Sequence, residues 1–500
     1  MRQRSRARTG LAAVAALCAV GSIPGPALAA PGDGPADPAS YRTADGAKKV
    51  AGTESSADAP PIRSGFYQDS IGPGEKLYYS VTLDATSGAF VSAVALPKPG
   101  SSVKYGDGIK VSLQSTDNTE CGGNDANFGV GEQARPIAAY ATRKIKEGGN
   151  CQQAGAYYLV IERTSAATSD PGKWPLEIRS MSEPGLKSTG STEAPTSWPS
   201  ASPTPPTGQA RARKGGTGFN DAPALDKGVW KDRLQPGRTR FYRVPLDWGQ
   251  QLSGSLELAN STPTQESHYA PSGLTYELYN PARGRVDNDS MSYNGEQKSV
   301  TTGPTAPVAY ANRFTTTSDV NAMQVAGWYY LAVTLHDEVG KFTKGGVPLL
   351  LRLNIDGAAK PGPPYDGDAA AAGFGLTDRD LEAAEKGQTA AESEKSGTLT
   401  VVAAAAFGTG TVLVVGLGVW TVVARRRAAA PAAAGAPYGG GPVRGAGFPQ
   451  GAALPHPSPA PAQQHTGQSQ PGQPQAGRPH GGAPQPGQQY DPRYGQPPGW

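Results

Sequence analysis

An internal repeat constrains this chain more than any other feature. Residues 69–84, DSIGPGEKLYYSVTLD, return at 232–247 as DRLQPGRTRFYRVPLD, 163 positions later, with seven of the sixteen positions identical. Four more blocks recur in the same order, as DAP, RPIAAYATR, GAYYLVI and PLEIR in the first copy and DAP, APVAYANR, GWYYLAV and PLLLR in the second. Five blocks in one order are not expected by chance, so the chain contains two copies of one domain, at 58–181 and 219–357.

Both copies show the pattern of β structure. LYYSVTLD and RFYRVPLD alternate large apolar and polar residues, which is the period of a half-buried strand. The Pro-Gly pair before each of them is typical of a turn, because proline sets φ and glycine permits positive φ. Further short strands follow, and neither copy shows a helical period. These patterns predict an all-β ectodomain with two repeated antiparallel β-sandwich domains of jelly-roll-like topology.

The order of the blocks resembles the bacterial pre-peptidase C-terminal domain family. Its motifs are an Asp-x-Leu-x-Pro-Gly turn, a Tyr-x-Val-x-Leu strand and a closing Gly-x-Tyr-x-Leu-x-Val strand, which stand here at 69–74, 79–83 and 155–160. The second copy matches these motifs at Asp232, Leu234, Pro236, Gly237, Tyr242, Val244, Leu246, Gly327, Tyr329 and Leu331. The resemblance covers about half of the chain. It implies an accessory β-sandwich that binds a partner or acts as a spacer and has no chemistry of its own. The whole layout also resembles single-pass envelope proteins of actinobacteria.

Two apolar segments predict how the chain sits in a membrane. Residues 1–30 combine four arginines, an apolar run and small residues, which predicts a cleaved secretory signal peptide. An uncleaved anchor is the alternative, but the apolar run is too short to span comfortably. Residues 397–424 carry no charge and are followed by Arg425, Arg426 and Arg427. We therefore predict one transmembrane helix in the cell membrane, with the N-terminus outside and the C-terminus in the cytoplasm.

Three other segments lack the composition of a packed core. Residues 182–218, rich in Ser, Thr and Pro, predict an extended and mobile linker between the copies. Residues 358–396 predict a juxtamembrane stalk with one short helix in TDRDLEAAEKG, where a threonine cap and a closing glycine mark the ends. Residues 425–500, rich in Pro, Gly and Gln, predict a disordered cytoplasmic tail, which either binds a cytoplasmic protein or serves only as a spacer.

The distribution of charge argues against a nucleic-acid partner. The formal net charge is +4, but the signal holds four arginines and the tail after residue 424 holds six arginines against one aspartate. The region between them therefore carries a formal charge of −5. The basic pI comes from the two ends of the chain, and no basic patch supports nucleic-acid binding.

Two of the three cysteines, Cys121 and Cys151, lie in the first copy, and the third, Cys18, lies in the signal. An even pair in an exported domain predicts a disulfide. The corresponding positions of the second copy fall near Val286 and Met323, an apolar pair, which supports proximity of the two positions. Two catalytic thiols are the alternative, but the spacing is not CxxC and no histidine is near in sequence.

No catalytic constellation is visible in the sequence. The exported part contains two histidines, His268 and His336, and neither belongs to an HExxH motif. The exported sequence also lacks a GxSxG elbow, an SxxK motif and a glycine-rich phosphate loop after a strand. We therefore predict no catalytic residue, no cofactor and no enzymatic activity.

Metal and sugar binding have only weak candidates. DNDS, with Asp287 and Asp289, and ECGGNDAN at 120–127 place oxygens close together as calcium requires, and the two stretches occupy corresponding loops. Turns use the same residues, so no metal site is assigned. Four aromatic residues would suit stacking on a sugar or polymer if exposed, although core or edge packing is favoured for the two tryptophans: Trp230, Trp248, Tyr269 and Tyr293.

These observations predict a non-catalytic binding or scaffolding protein at the cell surface. Its partner would be a cell-wall polymer or another envelope protein, with a possible cytoplasmic protein on the tail. An envelope hydrolase or peptidase-associated protein is the first alternative, and it would need a cleft with a catalytic constellation. A transmembrane signal relay is the second, and a ligand-dependent dimer would be its signature.

Overall fold

The computed structural model describes residues 40–129, 131, 133–188, 190–201, 203–262, 264, 269–393, 395, 417–423 and 425. The chain divides into two compact units, residues 1–420 and 421–500, and every strand named below lies in the first of them. The predicted signal peptide and the predicted tail beyond Arg425 lie outside the described residues.

Ten strands lie in the described part of the first copy and the segment before it. They are β1 Lys48–Lys49, β2 Pro61–Ile62, β3 Gly65–Ile71, β4 Lys76–Leu83, β5 Gly88–Ala95, β6 Gly108–Ser115, β7 Glu120–Asn127, β8 Ile137–Arg143, β9 Gly155–Thr164 and β10 Trp174–Glu183. One sheet has the order β1-β3-β10-β5-β8 and the other has the order β2-β4-β9-β6-β7. The pairings are antiparallel except at the two-residue strands β1 and β2, which pair in parallel.

The second copy has nine strands in the described residues. They are β11 Arg211–Ala212, β12 Gly228–Leu234, β13 Arg238–Leu246, β14 Gln251–Leu258, β15 Ala270–Tyr279, β16 Arg285–Tyr293, β17 Lys298–Thr302, β18 Gly327–Leu335 and β19 Val347–Asp356. Its sheets have the orders β11-β12-β19-β14-β17 and β13-β18-β15-β16. When β3–β10 are matched in sequence to β12–β19, both copies have the same strand order. The described part of the chain is thus mainly β, as the sequence predicted.

Each copy has its own apolar core, and both of its sheets contribute to it. Alternate residues of β4 are buried, which confirms the period predicted from LYYSVTLD. β5 is different because it is buried at every position. Its Val91 belongs to the core of the first copy, whereas Phe90 and Val94 join clusters that include residues of the second copy. The apolar run of β5 therefore reflects burial on two faces.

The repeated turn has a structural role that explains its residues. Gly74, in the Pro-Gly pair, adopts a φ of 70°, which favours glycine. Asp69 Oδ2 accepts hydrogen bonds from Tyr79 OH and from the Gly52 amide, both at 2.7 Å. Gly52 must lack a side chain, because a Cβ there would lie 2.6 Å from Tyr79 Cζ. The aspartate and tyrosine of the motif thus hold the segment that precedes the first copy.

The second copy repeats this arrangement with the same offset in sequence. Asp232 Oδ2 accepts hydrogen bonds from Tyr242 OH at 2.7 Å and from the Gly215 amide at 2.8 Å. β1 and β11, which precede the held glycines, also lie 163 residues apart. The structural repeat therefore begins at about residue 48 and about residue 211, before the first block visible in the sequence.

Loss of the tyrosine hydroxyl is expected to destabilise each copy by a similar amount. Tyr79→Phe and Tyr242→Phe should each lower the free energy of unfolding by about 1.5–3 kcal/mol, because each removes a buried hydrogen bond to a carboxylate. Urea denaturation followed by circular dichroism measures the effect, with Tyr269→Phe, at an exposed position, as the matched control. Unchanged stability in either variant would contradict a shared structural role for the motif.

The segment predicted as a linker contacts the second copy. Gln251 Nε2 donates to the Pro199 carbonyl at 3.0 Å, and Arg352 Nη1 donates to the Pro206 carbonyl at 3.3 Å. Trp198 packs against the core of the second copy. The described residues of this segment are therefore extended along the second copy and are held to it by these contacts.

Short helices complete the described fold, and two of them bear on the sequence predictions. α1, Ser318–Ala322, lies in the second copy, where the sequence showed no helical period, so that expectation is corrected there. α2, Asp378–Lys386, confirms the helix predicted in the stalk. Thr377 and Asp380 form a capping box at its start, and Gly387 ends it in the left-handed conformation. Before this helix Phe374 packs on Phe90 of the first copy, with ring centroids 5.1 Å apart.

The predicted transmembrane segment, 397–424, lies outside the described residues apart from 417–423, which are helical. Among the residues that are described, no helix is long and apolar enough to cross a membrane. Of the three arginines predicted to set the topology, Arg425 is described, and Arg426 and Arg427 are not.

Candidate binding site at the junction of the two copies

The two copies share two apolar clusters. The first cluster contains Val94, Ala138, Phe219, Ala222, Phe241, Tyr279 and Ala332. The second contains Phe90, Tyr140, Met181, Ala282, Val325 and Phe374. Both clusters combine buried residues from each side of the junction. Burial of apolar surface stabilises such contacts, so the copies form one packed body.

Two buried ion pairs cross the same junction. Arg283 Nη2 lies 2.6 Å from Glu177 Oε1, and the two side chains are 2% and 0% exposed. Arg313 makes two contacts with Glu183, from Nη1 to Oε2 at 2.6 Å and from Nη2 to Oε1 at 2.8 Å. In each pair the carboxylate comes from β10 of the first copy and the guanidinium from the second copy. Since a buried charge needs its partner, these pairs define how the copies dock.

Each buried carboxylate accepts additional hydrogen bonds. Glu183 Oε1 accepts one from Tyr365 OH at 2.6 Å. Glu177 accepts hydrogen bonds from three more groups, Tyr41 OH, the Ala44 amide and Asn220 Nδ2. Burial alone would lower the pKa of Arg313, but the Glu183 carboxylate raises it above its usual value. Burial and the same carboxylate raise the pKa of Tyr365. Arg313 therefore stays charged and Tyr365 stays protonated.

A polar cavity of about 340 Å³ opens where residues of both copies meet. Arg135 of the first copy reaches Glu277 of the second copy at its edge, with Nη2 and Oε1 3.4 Å apart. Arg285, Asp289 and His336 of the second copy also line it. His336 Nε2 lies 2.7 Å from the Gly131 carbonyl. The cavity thus offers charged groups of both signs, which suits a polar ligand.

A larger cleft, of about 780 Å³, lies on the junction where the segments before the first copy and after the second copy also meet. Phe66 and Arg179 of the first copy face Arg283, Trp328 and Tyr330 of the second copy across it. Burial lowers the pKa of Arg179 to about 10, which leaves this guanidinium charged at neutral pH. The cleft therefore combines aromatic walls with charged side chains of both signs, among which the basic ones are in excess.

The predicted disulfide is confirmed. Cys121 and Cys151 are joined, with their Cα atoms 5.6 Å apart. The corresponding residues of the second copy, Val286 and Met323, are both buried in its core. Arg143 donates from Nε to the Cys151 carbonyl at 2.6 Å, which holds the turn that carries this cysteine. The disulfide is thus part of the first core, and the second copy packs an apolar pair at the same place.

The calcium candidates do not lie in loops. ECGGNDAN forms β7, and Asp287 and Asp289 lie on the matching strand β16, where they occupy alternate positions. Asp287 Oδ2 already accepts hydrogen bonds from Tyr276 OH at 2.8 Å and from Thr302 Oγ1 at 2.9 Å. Both aspartates line a cavity of about 330 Å³ together with Asp319. No group of three or more metal-ligating side chains is found among the described residues.

The aromatic and histidine candidates mostly belong to the fold. Trp230 and Trp248 are core residues, as favoured from the sequence, and Tyr293 is also buried, at 1% exposed. Tyr269, at 62% exposed, is the one of the four that is open to solvent. His268 lies outside the described residues.

Sequence reasoning missed the residues that join the copies. Glu177 stands in PLEIR where the second copy has Leu350, so a single charge inside an apolar strand was the available signal. Arg313 corresponds to Arg143 in the repeated block, and both are buried. Arg143 is satisfied within its own copy by carbonyl groups, whereas Arg313 reaches across the junction. The repeat alone could not show that difference.

Comparisons with known proteins give no family. No protein-family model matches the chain, and no curated protein matches it. Among solved structures, a protein from Sulfurospirillum deleyianum aligns at 14% identity over 23% of this chain and 98% of its own, with a TM-score of 0.15. The CBM22-1-CBM22-2 tandem domain of Xyn10C from Paenibacillus barcinonensis aligns at 13% identity over 59% of this chain and 92% of its own, with a TM-score of 0.17. TM-scores this low support no conclusion about the fold or the function of this chain.

Proposed function

We propose that this chain is a non-catalytic binding or scaffolding protein of the cell envelope, held by a single membrane span with its N-terminal part outside. Its two copies would be pre-peptidase C-terminal-like sandwiches of jelly-roll topology. The identical strand orders of the two copies support that topology, since the sheets alternate strands in the jelly-roll manner. The partner outside would be a polymer of the cell wall, and the tail would be cytoplasmic.

The observation that carries the proposal is the docking of the copies. The buried pairs Arg283–Glu177 and Arg313–Glu183 hold two repeats in one fixed arrangement. Loop residues of the first copy and strand residues of the second copy then form a continuous surface with a polar cavity between them. A rigid, composite surface supports binding of an extended polymer better than two repeats on a flexible linker would, because less freedom is lost on binding.

The two alternative functions, a hydrolase and a signal relay, have less structural support. A hydrolase would need a nucleophile and base within hydrogen-bond reach, and His336 instead contacts the Gly131 carbonyl and Asp337 Oδ1. A signal relay would need a change in association across the span, and a ligand-dependent dimer remains its test. The peptidase association suggested by the family resemblance has no further support.

The proposal is tested by sedimentation with isolated cell-wall sacculi. The full chain in detergent is mixed with sacculi, and the fraction that sediments is measured against protein concentration. Saturable sedimentation is expected. Arg285→Gln at the polar cavity should weaken it several-fold, because one charge-assisted hydrogen bond is lost. Lys110→Gln, at an exposed ion pair on the first copy, is the matched control.

The same sedimentation experiment also tests for dependence on calcium. The mixture is repeated with calcium and with a chelator, and Asp289→Asn is compared with the parent chain. Sedimentation that depends on calcium and is lost in the variant would assign a metal to β16. Absence of any saturable sedimentation would overturn the wall-polymer proposal and leave an envelope protein as the partner.

A further inference from the structure

We propose that the large cleft at the junction binds an oxyanion, carboxylate or phosphate, that is carried on an aromatic or apolar group. This goes beyond the binding function proposed above and does not depend on it, because the cleft is separate from the polar cavity. The inference comes from the balance of charge in the cleft, from unpartnered donors and from the nature of its walls.

Basic side chains outnumber acidic ones in the lining of the cleft, by six to four. Arg179 and Arg283 both line it, and Glu177 is the carboxylate that they share. Glu177 lies against Arg283 Nη2 at 2.6 Å. Arg179 donates from Nη1 to the Pro281 carbonyl at 2.7 Å and forms no ion pair with any carboxylate in the described part of the chain. The half-buried Arg179 therefore has no carboxylate partner of its own among the described residues, and the acidic side chains of the lining are fewer than the basic ones.

Donors of Arg283 are also unused. The side chain is 1% exposed, and its Nε and Nη1 have no hydrogen-bond partner among the described residues. A buried donor without a partner is unfavourable, by roughly 1–3 kcal/mol and more when the group is charged. The backbone at Arg283 has a φ of 67°, a left-handed conformation that residues other than glycine seldom adopt. An oxyanion that enters between the rings flanking Arg283 would supply the acceptor that the fold does not.

The walls of the cleft define the rest of the ligand. Phe66 and Phe219 flank Arg283, with ring centroids 5.4 and 4.7 Å from its Cζ. Tyr330 packs edge-on against Phe219. Arg243 stacks on Trp328, with its Cζ 3.9 Å from the centroid of the ring. These faces suit an apolar or aromatic group next to the anion. A bare inorganic ion would leave them unused.

Calorimetric titration of the full chain in detergent tests this inference. The probes are phenyl phosphate, benzoate and benzamide, which share a ring and differ in the polar group. Phenyl phosphate and benzoate are expected to bind one per chain, and benzamide, which is neutral, is expected to bind at least tenfold more weakly. Inorganic phosphate, without the ring, should also bind more weakly than phenyl phosphate. A preference for phenyl phosphate over benzoate would assign a phosphate source, and the reverse would assign a carboxylate source.

Variants connect the binding to the cleft. Arg179→Gln should weaken phenyl phosphate about tenfold to a hundredfold, because a charged donor is lost. Arg211→Gln is the matched control, since Arg211 stacks on Trp230 elsewhere in the second copy. The double variant Arg283→Met with Glu177→Gln removes both buried charges together and should also lose binding. Equal binding of benzamide and benzoate, or unchanged affinity in Arg179→Gln, would overturn the proposal whatever the outcome with sacculi.

Discussion

Replacing Arg313 by methionine is expected to lower the free energy of unfolding by about 3–5 kcal/mol. The substitution keeps much of the side-chain volume but leaves Glu183 buried, with Tyr365 OH as its remaining side-chain donor. The loss comes from the uncompensated buried carboxylate more than from the attraction itself. Urea denaturation of the full chain in detergent, followed by circular dichroism, measures the effect.

Two comparisons separate this effect from others. Glu183→Gln combined with Arg313→Met removes both charges and should recover most of the lost stability, because no isolated charge remains. Lys76→Met, at an ion pair whose side chains are about 40% exposed, should change stability by less than about 1 kcal/mol. A loss in Arg313→Met no greater than in Lys76→Met would show that the pair across the junction contributes little.

Removal of the disulfide is the second large effect that we expect. Cys121→Ser with Cys151→Ser should lower the free energy of unfolding of the first copy by about 3–4 kcal/mol, because the bridge closes a loop of 30 residues in the unfolded chain. The turn at Cys151 should stay in place, since Arg143 still donates to its carbonyl. Denaturation measured by fluorescence and by circular dichroism reports the change.

The second copy provides the internal control. Neither cysteine lies in it, and Val286 and Met323 fill the corresponding place. Val286→Ala should destabilise the second copy by a cavity effect, whereas a reducing agent should act on the first copy alone. An unfolding transition that does not respond to reduction in the parent chain would contradict a stabilising role for the bridge.

Much of the fold could be predicted from the repeat. The alternation in LYYSVTLD predicted the burial of Leu77, Tyr79, Val81 and Leu83, and the cap and glycine of TDRDLEAAEKG predicted α2. These features are local, because a strand or a helix end depends on neighbours in sequence. The start of the repeat near residue 48 was missed, since two-residue strands leave no periodic pattern.

The junction could not be predicted for a different physical reason. Docking of two domains depends on pairs such as Arg313–Glu183, whose members are 130 residues apart and carry no shared pattern. The largely apolar sequence of β5, with Ser92 as its one polar side chain, and the lone glutamate in PLEIR were the signs that a second face of the first copy is buried. The calcium candidates were misplaced in loops because Asp and Asn favour turns, whereas β16 carries them on a strand.

The segment after the second copy is packed against the folded domains, which leaves little free chain between these domains and the proposed membrane span. Gln388 still contacts the second copy through the Ala224 amide at 3.1 Å, and residues as far as Lys395 line the large cleft. If the proposed span begins at residue 397, the tether between body and bilayer is a residue or two long, and each residue extends at most about 3.6 Å. The folded part would then stand directly on the membrane surface, and its own dimensions, not the tether, would set how far into the envelope it reaches.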